Sequence, residues 1–200
     1  MSLQHALLSA SSAHRWIACP PSALLSKNFE DFSSSFAQEG TDAHTLAQYK
    51  LENSLGINTK DPTEALSFYN EEMNSHAENY AIFVFEQVEK TKETCADPLV
   101  LIEQKLDFSK YVPGGYGYVD CLIIADDTLT VIDYKYGLGI EISAEKNPQM
   151  FCYALGALAL FDGIYDIDNV HMVIYQPRRE NISEYNISTN ELIKWAEEVL

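Results

Sequence analysis

Apolar and polar positions divide the chain into elements. In "LVLIEQKLDF", residues 99–108, they alternate with the period of a β-strand. Residues 115–137, "GYGYVDCLIIADDTLTVIDYKYG", read as a β-hairpin that is apolar on both faces, with Asp126 and Asp127 at the centre of its turn. "NVHMVIYQPRRE" is a further strand that ends at Pro177. Between these strands "SAEKNPQMFCYALGALALF" is helical, with Asn147 as N-cap and Pro148 as first residue. Upstream, "LSASSAHRWIACPPS" predicts a short helix capped by Ser11 or Ser12 and stopped by Pro20 and Pro21. "SSSFAQEGTDAHTLAQYKLENSLG" predicts a helix that starts within residues 35–41 and ends at Gly56. "DPTEALSFYNEEMNSHAENYAIFVFEQVEKTKE" reads as a long amphipathic helical stretch with Asp61 and Pro62 as cap and first-turn pair. In "ISTNELIKWAEEVL", Ser188 and Glu191 have capping-box spacing, and Ile187 and Leu192 have staple spacing.

The order is helices, three strands, a helix, a strand and a helix. It predicts an α/β fold whose mixed β-sheet is flanked by helices, with an antiparallel hairpin and then a crossover helix to another strand. The expected organisation is a single domain over residues 1–200. A last helical pattern still running at Leu200 suggests truncation at the C-terminus, and the Met-Ser-Leu start suggests a cloning remnant.

The hairpin poses a chemical problem. With a two-residue loop, Ala125 pairs with Thr128, and the same register sets Asp120 opposite Asp133 with Cβ atoms about 5 Å apart. A four-residue loop keeps this pairing; three or five residues shift it. Lys135 projects from the same face as Asp133. Leu122, Ile124, Leu129 and Val131 should share that face, with Val119, Ile123 and Ile132 on the other. Two opposed carboxylates repel by about 3 kcal/mol at an effective dielectric near 20, and desolvation adds to this. A cation should lie between them. The residues leave two choices open: Lys135 in a buried ion network, or a bound Mg²⁺ or Mn²⁺.

Composition narrows the setting. Of 200 residues, 46% are hydrophobic, enough for a folded core rather than a disordered chain. The longest apolar run, "YALGALALF", falls short of the roughly 20 residues that span a bilayer, and the N-terminus lacks a secretory signal pattern. Cys19, Cys95, Cys121 and Cys152 are scattered without a C-x-x-C pair, as expected of reduced thiols in a cytoplasmic protein without a membrane partner. The formal net charge of −17 argues, taken alone, against a nucleic-acid partner.

Gly117-Tyr-Val-Asp120 followed by Val131-Ile-Asp133-Tyr-Lys135 resembles the signature of the PD-(D/E)XK nuclease superfamily, and more closely its RecB-type branch, including phage-associated RecB-like exonucleases. "EGTDAH" resembles that branch's helix histidine, here His44. "QMFCYALGAL" resembles its Gln-x-x-x-Tyr motif, here Gln149 and Tyr153, and "SASSAHRWIACPPSALLS" resembles its Ser-rich start and Cys-Pro. The five motifs run in the expected order over residues 9–177.

The resemblance implies a restriction-endonuclease-like fold and a divalent-metal-dependent DNA nuclease, an exonuclease of phage DNA recombination or processing. His44, Asp120, Asp133 and the carbonyl of Tyr134 would bind Mg²⁺ or Mn²⁺. Asp120, Asp133, Lys135, Gln149 and Tyr153 would form the catalytic set, with Lys135 orienting a water activated by the metal. DNA is the implied partner, with a phage recombination protein as another. The rival is an inactive nuclease-fold scaffold that binds DNA or protein.

Single residues also have plain readings. His44 alone is an ordinary helix histidine, and Gln149 and Tyr153 alone are a surface amide and a core-edge tyrosine. Glu103 is either a supporting acidic residue or a surface glutamate. Arg178 and Arg179 read as exposed turn arginines, and His5, His14, His76 and His171 as structural or exposed. Some RecB-like nucleases carry an iron–sulfur cluster with one Cys before the core and three after it. Cys19 matches the first position, and the other three ligands would lie in a longer chain, so this one should not hold a cluster.

Overall fold

Five strands form one sheet in the order β1-β2-β3-β4-β5 in the computed structural model, which describes residues 6–26 and 34–200. They are β1 (Leu99–Asp107), β2 (Tyr116–Ala125), β3 (Thr128–Tyr134), β4 (Asn169–Gln176) and β5 (Asn181–Ser188). β3 and β4 run parallel, and the other neighbouring pairs are antiparallel. The α/β class and the mixed sheet are as expected. So is the hairpin register, with Ala125 paired to Thr128 and Cys121 to Ile132. His5 and the Met1, Ser2 and Leu3 start lie outside the described residues.

Because strand side chains alternate, each face of the sheet needs its own cover. On one side Leu122, Ile124, Leu129, Val131 and Met172 pack against α5 (Pro148–Leu160), with Trp16 of α1 (Ala13–Ala18) and Leu192 of α6 (Thr189–Val199). On the other, Cys121, Ile123, Ile132, Tyr134 and Val173 pack against α3 (Ser35–Ser54) and α4 (Glu71–Lys92). Among the described residues, no helix is long and apolar enough to cross a membrane.

The caps at Asn147 and Ser188 form as expected. Asn147 accepts from the amides of Gln149 and Met150, and Ser188 and Glu191 complete a capping box. α3 ends before Gly56, whose φ of 79° suits glycine.

Three expectations need correction. Pro20 stops α1, but Pro21 opens a new short helix, α2 (Pro21–Ser26), where its missing N–H costs nothing. The stretch from Asp61 is not one helix. Asp61 accepts from the Thr63 amide in a local turn, Asp42 takes the Phe68 amide, and α4 starts only at Glu71, capped by Asn70. The last correction is β5, an edge strand unforeseen because Ile182 is exposed and the apolar alternation is weak.

Candidate active site

The site begins with a fault in the strand pattern. Leu99 and Leu101 of β1 pack on the α5 side, and so does Leu106; Val100 and Ile102 pack on the other. Alternation therefore slips by one between Ile102 and Leu106. The residue that allows this is Glu103, whose φ is 51°. β2 slips opposite it. Val119 shares a core with Leu122, while Cys121 lies on the α3 side, so the expectation that Val119 and Leu122 face opposite ways is corrected. Pairing breaks only at Glu103 and Asp120 and resumes in the same register at Gln104–Val119.

This break turns Asp120 toward α3. His44 Nδ1 donates to Asp120 Oδ1 at 2.6 Å, and the Tyr134 amide donates to Asp120 Oδ2 at 2.7 Å. The β2–β3 ladder ends one pair earlier, so this side-chain bond replaces the next backbone bond. Glu103 shares a hydrogen bond with Asp120. Ligand atoms of His44, Glu103 and Asp120 all lie within 4.8 Å of one another. One imidazole and two carboxylates form a donor set suited to a hard or borderline divalent ion such as Mn²⁺ or Mg²⁺.

Two of these three groups, His44 and Glu103, hold protons near neutral pH. Burial opposes a charged His44, yet the Asp120 carboxylate outweighs it and pushes the imidazole up to about 9. Burial, and then the charge of Asp120, push Glu103 up to about 8. Burial also works to raise Asp120. The His44 charge and hydrogen bond, the Tyr134 amide and Lys135 overcome it and hold Asp120 below the usual carboxylate range.

Asp133 is not a member of the His44–Glu103–Asp120 group. It reaches the opposite layer, where Gln149 Nε2 donates to its Oδ1 at 3.1 Å. Lys135 Nζ lies 2.8 Å from Asp133 Oδ2 and donates to Gln149 Oε1 at 3.1 Å. Gln149 Nε2 also meets the Tyr153 hydroxyl at 3.0 Å, so the two helix residues one turn apart act together. Asp133 is 2% exposed, and burial pushes its carboxyl up against the pull of Lys135. Asp120 and Asp133, expected to meet on one face, thus reach to α3 and α5 respectively. They still interact electrostatically, as do Lys135 and His44.

All the expected site residues therefore gather at the Tyr134 end of β3. Glu103, readable from the sequence as either a supporting acidic residue or a surface glutamate, joins them; its left-handed backbone was not legible. Gly117 explains part of the motif spacing. A Cβ there would lie 2.8 Å from the Tyr153 ring and 2.9 Å from Ala10, so only glycine admits both against β2. Arg178, expected to be exposed, is half-buried. It pairs with Glu39 of α3 and Glu72 of α4 and lies over the Tyr136 ring. Arg179 is exposed and donates to the Leu138 carbonyl at 2.7 Å. Cys19 is exposed at the end of α1, and burial pushes the Cys152 thiol up to about 12.

Residues 5–200 match the model of a family described as "Protein of unknown function (DUF2800)". Among solved structures, the crystal structure of SSO0001 is similar at 16% sequence identity, covering 84% of this chain and 87% of that one, with a TM-score of 0.29.

Proposed function

We propose that this chain, which belongs to the DUF2800 family of proteins of unknown function, is a divalent-metal-dependent DNA nuclease of the PD-(D/E)XK superfamily, close to its RecB-type branch. The observation that carries this reading is the convergence of His44, Glu103 and Asp120 within 4.8 Å, beside a lysine tethered to its own carboxylate and amide. A structural ion network would need only Lys135 to neutralise Asp133. It gives no reason for a second acidic pair held together by a backbone break.

His44, Glu103 and Asp120 would hold Mg²⁺ or Mn²⁺. A bound ion there would acidify a water and neutralise phosphate charge. The chain's own residues do the rest. Lys135 points its ammonium into the site and stabilises negative charge as a water adds to phosphorus. Asp133 and Gln149 fix the ammonium's direction, and Tyr153 braces Gln149. The reaction is hydrolysis of a phosphodiester, with the water oxygen joining phosphorus and the sugar oxygen leaving. An exonuclease role in phage recombination or DNA processing, in the cytoplasm, is the biological setting this reading favours.

The test is Mn²⁺-dependent cleavage of linear DNA by the purified chain, alongside Asp120→Asn and Lys135→Ala. The expected result is cleavage by the native chain and loss of at least about a hundredfold in each variant, the scale of removing one group that stabilises the transition state. No cleavage by the native chain, with DNA still bound, would favour the inactive scaffold.

A further inference from the structure

Between Lys135 and Gln149 the chain leaves the sheet and returns as α5. Residues 137–144 lie outside the helices and strands, and side chains from the end of β4, the turn after it and β5 meet their backbone groups. Gln176, the last residue of β4, is 1% exposed. Its Nε2 donates to the Ile140 carbonyl at 3.0 Å and to the Gly137 carbonyl at 3.4 Å. Its Oε1 accepts from the Ile142 amide at 3.2 Å. Asn181 of β5 donates to the Ile142 carbonyl at 3.0 Å and to Gln176 Oε1 at 3.3 Å. Ser183 Oγ accepts from the Ala144 amide at 2.9 Å, and Arg179 donates to the Leu138 and Gly139 carbonyls. The base of the connection is closed as well. Lys135 Nζ donates to Gln149 Oε1, and the Lys135 amide donates to the carbonyl of Tyr175, the residue before Gln176.

We propose that Gln176 is a positioning residue: it locks the connection from β3 to α5 and thereby sets Lys135 against Gln149. This rests on the nuclease reading and adds a residue that acts through two members of its catalytic set. The geometry asks for a primary amide. Two carbonyls need donors and one amide needs an acceptor, and a glutamine side chain supplies both. A glutamate would leave the two carbonyls without a partner and bury a charge; a leucine would leave all three unmet. Residues 137–141 are exposed, so water could serve their backbone groups if folding were the only demand. A buried and fully paired network fixes their positions instead. Such fixing matters where two side chains from different elements must stay aligned, because a misplacement of about 1 Å costs up to about a hundredfold in rate. The metal donors His44, Glu103 and Asp120 stand on α3, β1 and β2, apart from this connection.

The experiment compares the native chain with Gln176→Leu, Gln176→Glu and Asn181→Ala. Glu191→Ala, which breaks the capping box of α6, serves as a control that lowers stability away from the site. Three quantities are read: the side-chain amide resonances of Gln149 in nitrogen-15 NMR without metal or DNA, calorimetric Mn²⁺ binding, and kcat and KM for Mn²⁺-dependent cleavage of linear DNA. In both Gln176 variants the Gln149 resonances should move and lose their protection from exchange. Their kcat should fall by about tenfold to a hundredfold, with KM and Mn²⁺ affinity unchanged. Asn181→Ala should shift the same quantities in the same direction and less far, and it decides the matter if the Gln176 variants do not fold. Glu191→Ala should lower the melting temperature and leave all three quantities as in the native chain. Gln149 resonances and kcat that stay native in the Gln176 variants would overturn the proposal. So would a kcat that falls no further than that of an equally destabilised control, or a loss of Mn²⁺ binding together with kcat. Shifted Gln149 resonances in a native chain that never cleaves DNA would support the lock and remove the nuclease reading.

Discussion

Glu103 is the residue on which the site turns. A glutamate at φ 51° pays a steric cost, and it does so where two strands would otherwise pair without interruption. The return is an acidic side chain on the α3 side, against Asp120 and His44. Its proton makes the metal-free protein pH-sensitive. Folding raises Glu103 from the ordinary 4.5 to about 8 and His44 from 6.5 to about 9, so the folded state binds more protons than the unfolded one between these limits. The Glu103 contribution is complete below 4.5 and lost as pH passes about 8; that of His44 is complete below 6.5 and lost through about 9. Urea midpoints without metal should therefore fall between about pH 6 and about pH 9.5, and Glu103→Gln, which never ionises, should flatten the fall. Equal slopes in the two proteins would contradict the assignment. Asp120 and Asp133 were legible because hairpin register follows from loop length. The break was not, since nothing in the sequence marks a glutamate for left-handed backbone.

At the scale of elements, the site depends on how closely α5 approaches the sheet. Gly156 brings the helix onto β1, where an added Cβ would sit 2.9 Å from Leu106 Cβ and 3.3 Å from its backbone carbonyl carbon. Gly156→Ala should push α5 outward and destabilise the fold by about 1–3 kcal/mol, measured by denaturant unfolding. Gly117→Ala collides instead with Tyr153 and should disturb the Gln149–Tyr153 pair, so cleavage should fall more than stability does. Equal activity in Gly117→Ala and the native chain would show that Tyr153 has no part in positioning Gln149. Helix ends with strong caps were readable, as Asn147 and Ser188 demonstrate. The start of α4 was not, because Asp61 also satisfies a local amide and only the tertiary bond from Phe68 to Asp42 decides where the helix can begin. β5 escaped because an edge strand needs only one half-buried face.

For the molecule as a whole, the acidic charge and a DNA substrate are compatible only if few phosphates are contacted. Lys135 would neutralise about one, so DNA affinity should fall gently with salt, with a log–log slope of about −0.7 to −0.9. A slope steeper than about −4 would mean that a broad cationic surface carries the binding instead.

The central claim is that His44, Glu103 and Asp120 hold a divalent ion. Calorimetric titration of Mn²⁺ into the native chain and into Asp120→Asn tests it without any DNA. The account predicts saturable binding by the native chain, stronger at about pH 8.5 than at about pH 6.5 because the ion displaces protons from His44 and Glu103, and lost in the variant. No saturable binding by the native chain at either pH would contradict it.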